Sequence, residues 1–419
     1  MTMAAKQMEA QEMSALLAGR VAGMENDALA TLLGLAGRED VISFAGGLPD
    51  PATFMTDRLA EVARQAIVDE PGITLQYGPT PGLPRTRDWF RSYLERREGV
   101  AAPFESVMVT SGGVEALDLL NKVLVDPGDV VLMEAPSYLG AEMVTTSYQG
   151  EVVGVPIDDD GLRVDLLRNT LDTLARDGRR PKFLYTIPDY QNPSGITLTA
   201  ERRTALVALA AERALLLVED VAYRRLGEDV GDAQPPTLWS LNPAGVVLID
   251  TFAKTLFPAA RVACVVAPPE LIRVMTLAKQ TTDQFASTLS QSMLLAYDRQ
   301  GWLDAQVARA QEIYSRRRDA MLDAMSRTLP AGLQWTRPSG GFFTWLTLPK
   351  GLDATSLVPQ AMVRGVAYVP GQPFFARGVD GRRYLRLSYS YVAVKGIDEG
   401  LSRLATVIAQ ASPSGGTDA

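Results

Sequence analysis

The sequence predicts an α/β fold, with a mostly parallel central sheet, helices on both faces and a smaller α+β domain. Three observations predict it. Short, continuously apolar segments recur between residues 107 and 266, and segments of helical period separate them. Strands that are apolar along their whole length are buried on both faces, as in a parallel sheet covered by helices. Beyond residue 287 the texture changes to two long helical stretches and then to short strands.

The elements follow in order. Residues 27–37 have helical period and end on Gly37; residues 41–44 form a short strand before the loop Gly46-Gly47-Leu48-Pro49. Strands are expected at 107–110, 130–133, 152–155, 183–187, 215–218, 246–249 and 262–266, with helices at 114–124, 138–147, 164–175 and 199–213. The link between the last two strands is only about a dozen residues, and a parallel crossover needs at least that many, generally with a helix. The strand at 262–266 is therefore expected to run antiparallel to its neighbour. Helices at 287–298 and 303–328, strands at 333–336, 342–346, 366–369 and 384–388, and a helix from Ile397 complete the chain. The expected division is an N-terminal segment 1–44 packing with the small domain, a large domain 45–295 and a small C-terminal domain 296–419. The tail from Ser412 to Gly416 is small and polar and is expected to fray.

Composition excludes much chemistry. The chain has 419 residues and no histidine, which removes Ser-His-Asp and Cys-His nucleophile pairs and zinc sites built on imidazole. Its single cysteine, Cys264, rules out an intrachain disulfide and fits a reducing cytoplasm. The net charge of −8 argues against nucleic acid or an anionic membrane as partner. No apolar run approaches the roughly 20 residues that span a bilayer. Proton transfer must then rely on Lys, Asp, Glu, Tyr, the lone Cys or a borrowed cofactor.

The unusual residues gather after the strands, at the ends where open α/β sheets bind ligands. Ser111-Gly112-Gly113 opens a helix, and free N–H groups there can cradle a phosphate; alone, such a triplet is more often a plain turn. Asn192-Pro193 is a turn former. Asp220 ends a buried strand, and Tyr223 stands one helical turn further on. Lys254 lies among Phe252, Ala253, Leu256 and Phe257, apolar company that lowers an amine's pKa and makes it a nucleophile toward carbonyls. An antiparallel return would bring Arg261 to the same edge, where a guanidinium can hold a phosphate. Arg386 sits between Leu385 and Leu387 and, by strand alternation, points away from both.

Taken together the pattern resembles the class I/II aminotransferases of PLP fold type I, closest to the branch of 2-aminoadipate, kynurenine and aromatic aminotransferases. The resemblance spans about residues 27–409, carried by FAGGLPDPATF (44–54), LQYGPTPGLPRTR (75–87), TSGGVEALDLL (110–120), PSY (136–138), QNPSG (191–195), VEDVAYRRL (218–226), DTFAKTLFPAARV (250–262) and YLRLSYS (384–390). It implies pyridoxal 5′-phosphate as cofactor, bound to Lys254 as a Schiff base, with Lys254 then moving the substrate's Cα proton. Asp220 would pair with the pyridine nitrogen, Asn192 and Tyr223 with the ring oxygen, and Tyr138 would stack on the ring. Ser111, Gly112, Gly113, Thr251 and Arg261 would hold the phosphate, with Tyr77 reaching in from the partner subunit of a homodimer. Gly47, Asn192 and Arg386 would bind substrate, Arg386 clamping the α-carboxylate.

The chain departs from the family pattern at Gly113 and Val114, where a polar pair is common, at Ala253, where serine is common, and at Arg383, where asparagine is usual. Ala30 takes the place of a frequent arginine that can meet acidic side chains, which weakens the case for an acidic donor. The activity implied is amino transfer from an L-amino acid, aromatic or otherwise bulky and apolar, to a 2-oxo acid such as 2-oxoglutarate. A β-lyase, cyclase or amino-acid oxidase on the same fold is the alternative. A transcription regulator is disfavoured, because the roughly 26 residues ahead of the match are too few for a DNA-binding domain.

Overall fold

The computed structural model describes residues 13–24, 40–228 and 234–411. The helix expected at 27–37, Ala30 and the tail 412–416 lie outside the described residues.

A two-residue strand, β1 (Ile42–Ser43), comes first and lies apart from the main sheet. That sheet has eight strands: β2 (Val107–Thr110), β3 (Val130–Ala135), β4 (Glu151–Asp158), β5 (Gly161–Leu162), β6 (Pro181–Thr186), β7 (Leu216–Asp220), β8 (Val246–Thr251) and β9 (Ala263–Val266). Their order is β2-β9-β8-β7-β6-β3-β4-β5. From β8 through β4 every pairing is parallel. β9 is antiparallel to both β8 and β2, as the short link predicts. That link holds only the 3₁₀ turn Pro258–Ala260, with no helix to carry the chain back across the sheet.

Both faces of the sheet are covered, and strand alternation shows it. Val107 and Val109 pack in one cluster with Phe90, Leu167 and Leu206, whereas Met108 packs in the other with Leu117, Leu120 and Met275. These side chains come from the helices Pro84–Glu98, Val164–Arg176 and Ala200–Glu212 on one face, and Gly113–Leu124 and Pro269–Gln280 on the other. Burial of this kind stabilises by about 25 cal/mol per Å² of apolar surface.

The smaller sheet has the order β10-β11-β14-β13, all antiparallel, from β10 (Gln334–Trp335), β11 (Phe343–Thr347), β13 (Val369–Pro370) and β14 (Tyr384–Ser388). Here the structure corrects the single strand expected at 366–369. β12 (Val366–Ala367) pairs parallel with β1, while β13 pairs with β14. Between them Tyr368 is buried and its hydroxyl donates to the Ala354 carbonyl at 2.6 Å, so the chain changes partner there. The β1–β12 pairing ties the 41–44 segment to this smaller part. The strand expected at 333–336 is reduced to two edge residues, and the final helix begins at Val394 rather than Ile397. Among the described residues, no helix is long and apolar enough to cross a membrane.

Candidate active site

A cavity of about 430 Å³ opens at the C-terminal ends of β6, β7 and β8 and is walled on the far side by Phe343 and Arg386 of the smaller sheet. Strand register converges its chemistry. Asp220 pairs in register with Ile249, so the end of β7 lies beside the turn after β8 that carries Lys254. Ala263 lies between Thr110 and Thr251, which places Arg261 between the ends of β2 and β8.

Lys254 projects into this cavity between the buried Phe252 and Leu256, and its amine donates to the Gly47 carbonyl at 3.1 Å. Burial, reinforced by the Arg386 charge, lowers its pKa to about 8. The neutral amine is the nucleophile. Mixing the apoprotein with pyridoxal phosphate over a pH series should therefore give a rate of imine formation that rises to a plateau with a midpoint near pH 8. A midpoint near the ordinary lysine value of about 10.4 would show that the amine is not desolvated.

Asp220, at the end of β7, accepts the Tyr185 hydroxyl at 2.9 Å on Oδ2 and the Ala222 N–H at 3.1 Å on Oδ1. Burial raises its pKa, and these two donors work against that rise. Tyr223 lines the same wall, hydrogen-bonded to Asn192, and burial pushes its phenol upward. Arg386 is 6% exposed. Its Nη1 donates to Asn192 Oδ1 at 2.9 Å and its Nη2 to the Ala45 carbonyl at 2.9 Å. The Phe343 ring centre lies 4.2 Å and the Phe374 ring centre 5.1 Å from the guanidinium carbon. Burial lowers its pKa to about 10, so it stays charged at neutral pH. Leu385 and Leu387 point into the smaller core, as alternation predicts. A Cβ at Gly47 would meet the Phe343 ring at 2.9 Å, so only glycine lets the loop pass this close.

Arg261 borders the glycine turn and its Nη2 donates to the Ser111 carbonyl at 3.1 Å. Gly112 has φ +96, and a Cβ there would lie 2.5 Å from the Arg261 guanidinium. This is a cradle that a side chain would fill. Gly113 begins the helix Gly113–Leu124, and Thr251 ends β8; both line the cavity, as does Tyr138. Burial raises the Tyr138 pKa.

Two residues expected at the phosphate, Ser111 and, from the partner subunit, Tyr77, are not among the lining residues of this chain's own cavity. The Ser111 hydroxyl donates to Asp283 Oδ2 at 2.7 Å and its N–H to Glu115, so its donors are already engaged. The cause is Lys279, fully buried, whose amine collects Glu115 at 2.6 Å and Asp283 at 2.7 Å directly behind the turn. Tyr77 is 77% exposed, outside its own cavity, with its ring edge-on to Phe285 at 5.5 Å.

Sequence reasoning passed over the residues that hold this arrangement. Tyr185, partner of Asp220, was hidden in a strand that reads as core. Glu134 accepts from Thr186 (2.7 Å), from the Ile187 N–H (3.2 Å) and from Gln191 (3.0 Å), fixing the loop that presents Asn192. The buried Arg203 and Arg224 both grip Asp189 in the same loop. Arg383, where asparagine was the usual residue, donates twice to the Leu348 carbonyl, at 3.1 and 2.8 Å.

A desolvated amine, a buried carboxylate held by donors, and guanidinium groups on Arg261 and Arg386 fit a group that carries an aldehyde, a ring nitrogen and a phosphate. The comparisons agree. A family profile described as "Aminotransferase class I and II" matches residues 39–404. The chain is 38% identical over 386 residues to the aromatic-amino-acid aminotransferase 1 of Thermococcus litoralis, covering 92% of each chain. It is also 38% identical to the 2-aminoadipate transaminase of Thermus thermophilus, covering 92% of this chain and 94% of the other. Pyrococcus horikoshii kynurenine aminotransferase, solved in complex with PMP, superposes with a TM-score of 0.91 at 35% identity, over 96% of this chain and 99% of that one. The chain belongs to the class I and II aminotransferases and is a pyridoxal-phosphate-dependent enzyme of fold type I.

Proposed function

We propose that the amino donor is an aromatic or other bulky, apolar L-amino acid, and the acceptor a 2-oxo acid such as 2-oxoglutarate. The observation that carries the donor is the cavity wall. Leu48, Leu117, Met143 and Val144 line it together with Phe343 and Phe374, and among its described lining residues the cations are Lys254, Arg261 and Arg386 alone. With Lys254 and Arg261 assigned to the cofactor, Arg386 is left for the α-carboxylate, and the donor's side chain meets hydrocarbon.

Bound pyridoxal phosphate supplies the carbonyl that takes up the amine and the conjugated ring that accepts the electron pair left when the Cα proton departs. The chain's own residues do the rest. Lys254 would hold the cofactor and then, as free amine, take the proton from Cα and deliver it to the cofactor's former carbonyl carbon, C4′, two bonds away. Asp220 keeps the ring nitrogen protonated, while Asn192 and Tyr223 orient the ring oxygen. Tyr138 covers the ring face, and the Gly112–Gly113 turn, Thr251 and Arg261 hold the phosphate. Gly47 gives the α-carboxylate access to Arg386. In this reading residues 45–295 make up the cofactor-binding domain, and the described residues from 296 to 411, with the 41–44 segment, the smaller one. Against the expectation that the whole N-terminal segment packs with the smaller domain, the turn Gly19–Gly23 lies against the helix Leu139–Ser147 of the larger one.

A homodimer is the proposed assembly. The exposure of Tyr77 outside its own cavity, beside exposed Ile73 and Leu75, supports its entering the partner's site. A cytoplasmic location is proposed from the one buried thiol, Cys264.

The test is a screen of amino donors against several 2-oxo acids, read by product mass. Aromatic donors should exceed aspartate in kcat/KM by at least about tenfold, the scale of burying one apolar side chain. A preference for aspartate would overturn the donor class; ammonia or peroxide in place of a transaminated 2-oxo acid would overturn the physiological reaction.

A further inference from the structure

We propose that Tyr185 is the positioning residue for Asp220: its hydroxyl fixes the orientation and the negative charge of the carboxylate that faces the ring nitrogen. The inference rests on the assignment of Asp220 to that nitrogen. Tyr185 is fully buried and registers with Val218, two residues before Asp220 on the same face of β7. Its hydroxyl donates to Oδ2 at 2.9 Å, while the Ala222 N–H takes Oδ1 at 3.1 Å. One donor on each oxygen locks the carboxylate plane, and each oxygen keeps a lone-pair direction for the cofactor.

The hydroxyl also decides charge. Of the charged and titratable groups facing Asp220, Lys254 favours its ionised form, whereas the Asp250 carboxylate opposes it; the phenols of Tyr138, Tyr185 and Tyr223 complete the set. A carboxylate buried here is kept ionised mainly by hydrogen bonds. Burial and the neighbouring Asp220 push the Tyr185 phenol well above its ordinary value, so it remains a donor throughout the working range. No histidine exists in the chain to do this instead. Tyr185 does not line the cavity, so it acts through Asp220 and touches neither substrate nor cofactor.

The experiment compares full-length, cofactor-loaded wild type with Tyr185→Phe and Asp220→Asn, reading the pH titration of the imine absorbance together with kcat and KM. A positive ring nitrogen repels a second charge on the imine and lowers the imine's pKa. Tyr185→Phe should raise the imine pKa by about one unit. It should also lower kcat by about 10- to 100-fold, the scale of a hydrogen bond to a charged group. The donor's KM should stay within about twofold, since the hydroxyl is remote from substrate. Site-specific 3-fluorotyrosine keeps the shape, strengthens the donor and should move the imine pKa downward.

If Tyr185→Phe loses activity through stability alone, with the imine pKa in place while Asp220→Asn shifts it, the hydroxyl is packing and the inference fails. A 3-fluorotyrosine protein whose imine pKa is unmoved, or moves upward, also contradicts it. An Asp220→Asn protein with an unchanged imine pKa overturns the assignment of Asp220 itself, and the inference with it.

Discussion

Lys254→Ala should abolish the imine absorbance of the cofactor-loaded protein and lower transamination by on the order of 10⁴-fold, the upper range for removing a positioned acid–base group. The size follows from the surroundings. Lys254 is the lysine that lines the cavity, and its amine is brought to a pKa of about 8 by burial and by the Arg386 charge. The phenols nearby are pushed upward by the same burial, and Arg386, at about 10, is engaged with Asn192 and Ala45. Asp220, the carboxylate among the described lining residues, is engaged by Tyr185 and Ala222, so none of these groups is placed to take and return the proton in the stead of Lys254. The loss belongs to kcat, while the far-ultraviolet circular dichroism should be that of the wild type. A variant that keeps activity within about tenfold would place the proton transfer on another group.

Arg386→Ala should lower kcat/KM by about 10²- to 10³-fold, chiefly through KM, which is the scale of leaving one partner of a buried charge pair alone. The guanidinium is anchored at both ends before substrate arrives, by Asn192 Oδ1 and the Ala45 carbonyl, and two phenylalanine rings flank it. That preorganisation is what a planar fork gains and an ammonium cannot reproduce, so Arg386→Lys should recover little of the loss. Because the Arg386 charge also lowers the Lys254 pKa, its removal should move the midpoint of imine formation to higher pH. A KM unchanged for every donor would remove Arg386 from carboxylate binding.

Much of this architecture was legible in the chain because it depends on local physics. Continuous apolar runs separated by segments of helical period marked the parallel strands, and the length of one link was enough to turn β9 antiparallel. Alternation around Leu385 and Leu387 placed Arg386 on the opposite face to the smaller core. What stayed hidden depends on contacts distant in sequence. The Tyr185–Asp220 bond requires the register of β6 on β7, which no single-strand pattern encodes. Ser111 read as a phosphate ligand from its glycines. Only the helix Pro269–Gln280, arriving with Lys279 and followed by Asp283, shows that its hydroxyl is already engaged. Tyr368 divides a run of apolar residues into two strands because its hydroxyl finds a carbonyl in a helix, a partner that hydropathy does not reveal.

Borohydride reduction of the loaded enzyme, followed by peptide mass mapping, tests the account most directly. The reduction freezes the cofactor on whichever amine carries it. The pyridoxyl mass is expected on the peptide containing Lys254 and on no other. Finding it on a different lysine, such as the buried Lys279, or finding no modified peptide in a fully loaded sample, would contradict the site described above.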